Sequence, residues 1–222
     1  MAIPPNIRKK IGEIYEIAPQ IVHLMFTGII ETLGTIVKID RSGSNMSFWI
    51  LSDITGELKI DQSLAHDGAC LTVEALEGNT HKVTAVAETL QKTCLASWEM
   101  GRTINLERGM MLGGRLDGHL VQGHVDATGT CMSVTDMHGS WEYRFRFPTS
   151  HAALVIEKGS VCINGISLTA FNVTDDSLTV AVIPYTYTHT NINTTRVNDI
   201  VNIEFDMVGK YINRRNDLST HE

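Results

Sequence analysis

Apolar and polar residues alternate along this chain in runs of about four to eight residues, the signature of half-buried strands. Thr35-Ile36-Val37-Lys38-Ile39 and Ser47-Phe48-Trp49-Ile50-Leu51 have strand composition and flank the turn-prone stretch from Asp40 to Asn45. Cys70-Leu71-Thr72-Val73 and Lys82-Val83-Thr84-Ala85-Val86 flank Leu76-Glu77-Gly78-Asn79, a hairpin turn. Further on, Trp141-Glu142-Tyr143-Arg144-Phe145-Arg146-Phe147 alternates strictly, and Thr174-Asp175-Asp176-Ser177 supplies a matching turn. A short helix is expected around Ile60–Ala65, and one or two helical turns from Val208 to Arg215. The latter are too short to stand alone and must pack on a partner.

The pattern occurs twice. Ser63 falls on Ser160, Gly68 on Gly165, Leu71 on Leu168 and Thr72 on Thr169, at a constant offset of 97 residues. The same offset carries Thr89 onto Thr186 and Asn105-Leu106-Glu107 onto Asn202-Ile203-Glu204. Earlier, Gly28 meets Gly123 and Gly34-Thr35 meets Gly129-Thr130 at an offset of 95, which implies a two-residue insertion in a loop of the second copy. A unit this long is a domain. About six short strands per copy, with so few helical stretches, predict an all-β protein of two small closed barrels, which leave no exposed strand edge. The expected domains are 25–111 and 112–207, followed by a tail at 208–222. Residues 1–24 precede the repeat as a leader, either a short appended helix or the product of an upstream start codon.

At 222 residues, 43% hydrophobic and 19% charged, the chain suits two globular cores. A net charge of −7 with no Lys/Arg run argues against a nucleic-acid partner. No apolar run approaches a membrane span. Cys70, Cys94, Cys131 and Cys162 show no CxxC spacing and read as reduced thiols of a cytosolic protein.

Chemistry is sparse. No GxGxxG, P-loop, HExxH or GxSxG motif is present. Cys70 stands where the second copy has Ser167, and reads either as a small buried hydrophobe or as a reactive thiol. His124 replaces Ile29 of the first copy, so one half gains a group that can carry protons near neutral pH, or simply a structural histidine. His119 and His124 with Asp126 are too loose a set for zinc, and no metal is expected. The hydroxyls of Ser63, Thr72, Ser160, Ser167 and Thr169 repeat at matching positions. They serve packing, a rim of donors and acceptors for a polyhydroxylated ligand, or both.

Several blocks, in order, resemble the riboflavin synthase family. They are Met25-Phe26-Thr27-Gly28-Ile29-Ile30-Glu31, Gly68-Ala69-Cys70-Leu71-Thr72-Val73, Gly118-His119-Leu120-Val121-Gln122-Gly123-His124-Val125-Asp126, Asn164-Gly165-Ile166-Ser167-Leu168-Thr169, Ile183-Pro184 and Val201-Asn202-Ile203-Glu204-Phe205-Asp206. The resemblance spans Met25 to about Tyr211. It implies two six-stranded Greek-key barrels and a C-terminal helix that holds a homotrimer. It also implies dismutation of two 6,7-dimethyl-8-ribityllumazine molecules to riboflavin and 5-amino-6-ribitylaminouracil, without cofactor or metal. A cytoplasmic location and an association with lumazine synthase belong to the same expectation. Carried over by position, Phe26, Ser63, Cys70 and Thr72 would line a first pocket. His124, Ser167, Thr169 and Asp206 would line a second, with Lys158 nearby, and Thr27, Gly28, Gly123 and Asn164 are further expected substrate-binding residues. Ser63, Cys70 and His124 are the expected catalytic residues. The family commonly has aspartate where Asn164 stands, so a carboxylate there cannot be essential in this chain. The rival expectation is a non-catalytic lumazine- or flavin-binding protein on the same duplicated barrel.

Overall fold

The alternating runs become strands with one face inward. In the computed structural model, which describes residues 25–111 and 113–219, the first six are β1 (Thr32–Ser42), β2 (Asn45–Leu51), β3 (Ser63–His66), β4 (Ala69–Glu77), β5 (Thr80–Ala85) and β6 (Thr103–Arg108). They close into an antiparallel barrel in the order β1-β2-β5-β4-β3-β6. The second six are β7 (Ala127–Asp136), β8 (Trp141–Arg146), β9 (Ser160–Ile163), β10 (Ile166–Phe171), β11 (Ser177–Val182) and β12 (Ile200–Phe205). Their ring, β7-β8-β11-β10-β9-β12, repeats the first strand for strand. The leader expected at residues 1–24 lies outside the described residues.

Met46, Phe48 and Ile50 of β2 point into the first barrel, and Tyr143 and Phe145 of β8 point into the second. Each barrel thereby owns a core of its own. A register shift between Ile36 and Lys38 in β1 recurs between Cys131 and Ser133 in β7, so even the irregularity is duplicated. The inferred insertion lies between β7 and β8, where residues 137–140 form the turn made by residues 43–44 in the first copy.

Two expectations change. Ile60–Ala65 is not helical, because Ser63–His66 is drawn into the ladder between β4 and β6. The C-terminal helix is longer than one or two turns. Short helices α1 (Ala87–Lys92) and α2 (Pro184–His189) cap equivalent barrel ends, and the tail helix α3 runs over Met207–Ser219. A salt bridge of 2.7 Å from Lys210 to Asp126 ties α3 to the second barrel.

The barrels meet through the hairpin turns of β3–β4 and β9–β10. Around them lies a buried polar network. Asn105 donates through Nδ2 to the Asn164 carbonyl and to Asn191 Oδ1, both at 2.8 Å. Asn202 donates through Nδ2 to the Asp67 carbonyl at 2.8 Å and accepts at Oδ1 from the Cys94 N–H. Such satisfied amides fix one relative orientation of the two barrels.

Candidate active site

The first candidate pocket starts from the β3–β4 hairpin. On β4, Leu71 and Val73 face the core, which turns Cys70 and Thr72 outward. Thr72 pairs with Ser63 and Cys70 with Ala65, so Ser63, Cys70 and Thr72 share one outer face. Burial pushes the Cys70 thiol above its ordinary range, against a hydrogen bond from Ser63; the Glu204 charge raises it further. Cys70 is therefore a neutral thiol at neutral pH and not a preformed thiolate.

The second pocket repeats this on β9–β10, where Ser160 pairs with Thr169 and Cys162 with Ser167. Here a cavity of about 470 Å³ opens among Lys158, Ser167, Thr169, Ile183 and Thr186. Lys158 Nζ lies 5.1 Å from the centre of the Phe171 ring. A side chain that the sequence reading weighed only for metal completes the site. His119 is only 8% exposed, and its Nδ1 lies 2.7 Å from Ser167 Oγ. Burial lowers its pKa, and the charge of Asp206 opposes the shift.

Each pocket is closed by a strap that comes from the other half. Phe26 and Val121 exchange backbone hydrogen bonds of 2.7 and 3.0 Å, and the straps diverge from that bridge. The Cys70 N–H donates to the Gly123 carbonyl at 2.8 Å, and the Ser167 N–H to the Gly28 carbonyl at 2.8 Å. A Cβ at Gly123 would stand 2.6 Å from Cys70 Cβ, and one at Gly28 2.6 Å from Ser167 Cβ. Both glycines have positive φ, +77° and +76°, so close approach and conformation each demand glycine. Beyond the contacts, Val125 packs on the first core and Ile30 on the second.

The assignment of His124 to the second pocket is thereby corrected. It is exposed and sits between Gly123, seated on Cys70, and Val125, seated in the first core. It belongs beside Ser63, Cys70 and Thr72. Thr27 and Gly28, expected among the substrate-binding residues, lie on the strap seated at Ser167. Phe26 is fully buried among Ala65, Val121 and Cys162, with its ring against Gly123, and forms the floor between the pockets. Asn164 borders a different cavity, of about 290 Å³, with Arg102 and Asn191. It is 2% exposed in the barrel junction, where its Oδ1 accepts from the Asn202 N–H. Lys158, Ser167 and Thr169 line the cavity, and Asp206 lies close enough to His119 to act on its charge. Among the described residues no cluster of three or more His, Cys, Asp or Glu side chains could hold a metal ion.

The profile of the family described as Lumazine binding domain matches residues 27–109 and again 122–206. The chain is 39% identical to riboflavin synthase of Actinobacillus pleuropneumoniae over 85% of its own length and 88% of the relative's. It is 37% identical to that of Bacillus subtilis, over 86% and 89%. The chain belongs to the riboflavin synthase family. It is an enzyme of that family, with the lumazine-binding unit present twice. Riboflavin synthase of Mycobacterium tuberculosis is 37% identical over 86% of this chain and 97% of that one. In fold, the chain is similar to LumP in crystal structures with 6,7-dimethyl-8-(1'-D-ribityl) lumazine and with riboflavin. The TM-scores are 0.74 and 0.77 at 21% identity, over 81% of this chain and 98% of that one.

Proposed function

We propose that the two pockets, in units 25–111 and 112–207, each hold one 6,7-dimethyl-8-ribityllumazine, and that the pair dismutates to riboflavin and 5-amino-6-ribitylaminouracil. Two substrate molecules balance the two products with no other reactant. The C7 methyl of one lumazine gives up a proton to a positioned base or water. The carbanion attacks the second lumazine, made electrophilic by addition of a nucleophile, and a four-carbon unit passes from one ring system to the other. Holding two large rings face to face supplies much of the rate by proximity.

One observation carries this reading. The two pockets are built alike, with Ser63 and Thr72 matched by Ser160 and Thr169, yet only one has His124 at its strap. Like pockets suit two copies of one substrate. The histidine gives them different roles, with His124, Ser63 and Cys70 as the catalytic set and the hydroxyl rows gripping the ribityl chains.

Assembly as a homotrimer belongs to the same reading, the reacting pair meeting between the first barrel of one subunit and the second barrel of the next. Val208, Tyr211, Ile212 and Leu218 support it, since all are more than half exposed on α3 and need a cover. The four unpaired cysteines support a reducing, cytoplasmic setting. Association with lumazine synthase follows from the shared intermediate and is checked by co-elution of the two proteins.

The test is to mix the purified chain with the lumazine and follow riboflavin by its absorbance and fluorescence. One riboflavin per two lumazines consumed is expected. Tight binding without product would favour a non-catalytic lumazine-binding protein instead.

A further inference from the structure

Two buried carboxylates face the backbone of the straps. Glu204 of β12 is 2% exposed and accepts N–H bonds from Gln122 at 2.7 Å, Gly123 at 2.9 Å and His124 at 3.0 Å. Glu107 of β6 is 4% exposed and accepts from the Thr27 N–H at 2.6 Å, the Thr27 hydroxyl at 2.7 Å and the Gly28 N–H at 3.0 Å. Both stand at the same place in the repeat. Glu107 borders a cavity of about 620 Å³ with Thr27 and Arg108, yet two matched carboxylates this buried are not explained by packing alone, since burial disfavours charge.

The donors explain the residue type. Three converging hydrogens favour the ionised carboxylate, which only accepts, and they oppose the burial that raises both groups to about 7. A glutamine would turn an NH₂ toward one of these donors. Each fork also ends at a pocket. The third donor to Glu204 is the backbone of His124 itself, on the strap seated at Cys70. On the other side Thr27, fixed by Glu107, takes the His119 N–H on its carbonyl at 3.1 Å, and His119 meets Ser167.

We propose that Glu204 and Glu107 are positioning residues that act across the barrel junction: Glu204 of the second barrel sets His124 at the first pocket, and Glu107 of the first barrel sets His119 at the second. The activity of each pocket then depends on a carboxylate in the opposite barrel. This rests on the riboflavin synthase reading for its kinetic consequence, but the geometry is readable without turnover.

The test uses the full chain with isotope-labelled histidine, the His124 and His119 ring signals being identified by loss in His124→Gln and His119→Gln. Glu204→Gln should shift and broaden the His124 signal and leave His119 in place, while Glu107→Gln should do the reverse. With lumazine as substrate, Glu204→Gln should lower kcat by about tenfold to a hundredfold with a smaller change in KM, the cost of a misplaced group. Should Glu204→Gln lack a cooperative melt, Glu204→Asp, which withdraws the carboxylate by one methylene, is read on the same signals. Lowered melting temperature with both histidine signals unmoved would overturn the proposal, as would equal displacement of both histidines by either variant. A wild-type chain that makes no riboflavin would refute the functional reading and leave the histidine signals to decide this one.

Discussion

Gly68 and Gly165 stand back to back at the junction of the barrels. A Cβ built on Gly68 would lie 2.7 Å from the Gly165 nitrogen, and one on Gly165 would lie 2.9 Å from the Gly68 nitrogen. Their φ values are +79° and +82°, and the residues before them, Asp67 and Asn164, also have positive φ, +45° and +46°. Two consecutive left-handed residues make the hairpin turn that suits the twist of paired strands. The turns are thus shaped by their own hairpins and pressed together by the fold. The reciprocal contact marks the axis that relates the halves, and the straps cross on either side of it.

Replacing either glycine by alanine should therefore be costly twice over, once for the left-handed backbone and once for the overlap with the opposing turn. Together these amount to about 2–5 kcal/mol of stability. Urea melts of Gly68→Ala and Gly165→Ala read it directly. A loss under about 0.5 kcal/mol in either would mean that the barrels separate without penalty.

The first barrel should be the acid-sensitive one. His66 and His81 are both fully buried there, with their Nε2 atoms 3.0 Å apart. The equivalent positions in the second barrel, Ile163 and Leu178, are apolar. His66 Nδ1 faces the Leu64 carbonyl at 3.0 Å and must carry its proton, so His81 donates between the rings. Burial holds the His66 pKa well below its usual value and lowers that of His81 to about 4. Both folded values lie below the unfolded one. The unfolded chain therefore binds more protons as pH falls from about 6.5, and this stabilisation, complete above that pH, is lost toward pH 4. Asp67, Glu107 and Glu204 shift the other way, to about 6, 7 and 7, mainly through burial, and gain stability over part of that range. The histidine effect is isolated by comparison with His66→Ile/His81→Leu, the pair found in the second barrel. The wild type should lose at least about 2–3 kcal/mol more than this variant between pH 6.5 and 4, the amount that the His81 shift alone supplies. Parallel pH profiles would exclude the pair as the source.

Much of this fold is legible in the chain because its strands alternate cleanly and because every strand is written twice. Phe48 and Phe145 announce inward faces by spacing alone. β3 is harder: the stretch around Ile60–Ala65 reads locally as a short helix, and the pairing of Ser63–His66 with β4 and β6 overrides that weak signal. The repeat also shows that Gly28 and Gly123 are equivalent, but equivalence does not say which barrel a strap lands on. That choice depends on Val125 and Ile30 finding the opposite cores, a tertiary outcome, and it moves His124 from one pocket to the other. Glu107 and Glu204 were visible as matched letters in Asn105-Leu106-Glu107 and Asn202-Ile203-Glu204. Their purpose was not, because their partners are backbone N–H groups that no sequence pattern records.

Cys70→Ser should keep more activity than Cys70→Ala. A neutral thiol on the Ser63–Thr72 face acts as a polar wall group, and Ser167 already fills the equivalent place with a hydroxyl. Cys70→Ser is expected within about tenfold of the wild-type kcat. His124→Ala is expected to fall by about a hundredfold, the usual worth of a positioned acid or base. Far-UV circular dichroism should be unchanged in all three. A Cys70→Ser enzyme as inactive as His124→Ala would restore the thiolate as nucleophile.

Assembly is tested on α3 without touching either barrel. Tyr211 and Ile212 are 71% and 57% exposed, so charge there costs the isolated subunit almost nothing. The anchoring Lys210–Asp126 bridge is left in place, as is the Val208 N–H bond to Asp206. If these side chains are the cover between subunits, Tyr211→Asp/Ile212→Asp must bury two carboxylates at the interface, which association cannot offset. Light scattering should then report a monomer of 24.5 kDa with an unchanged melt. Its activity should fall steeply, because the first pocket of one subunit no longer meets the second pocket of another, and it should recover as protein concentration rises. A fully active monomer would place both reacting lumazines within one chain and discard the intersubunit site.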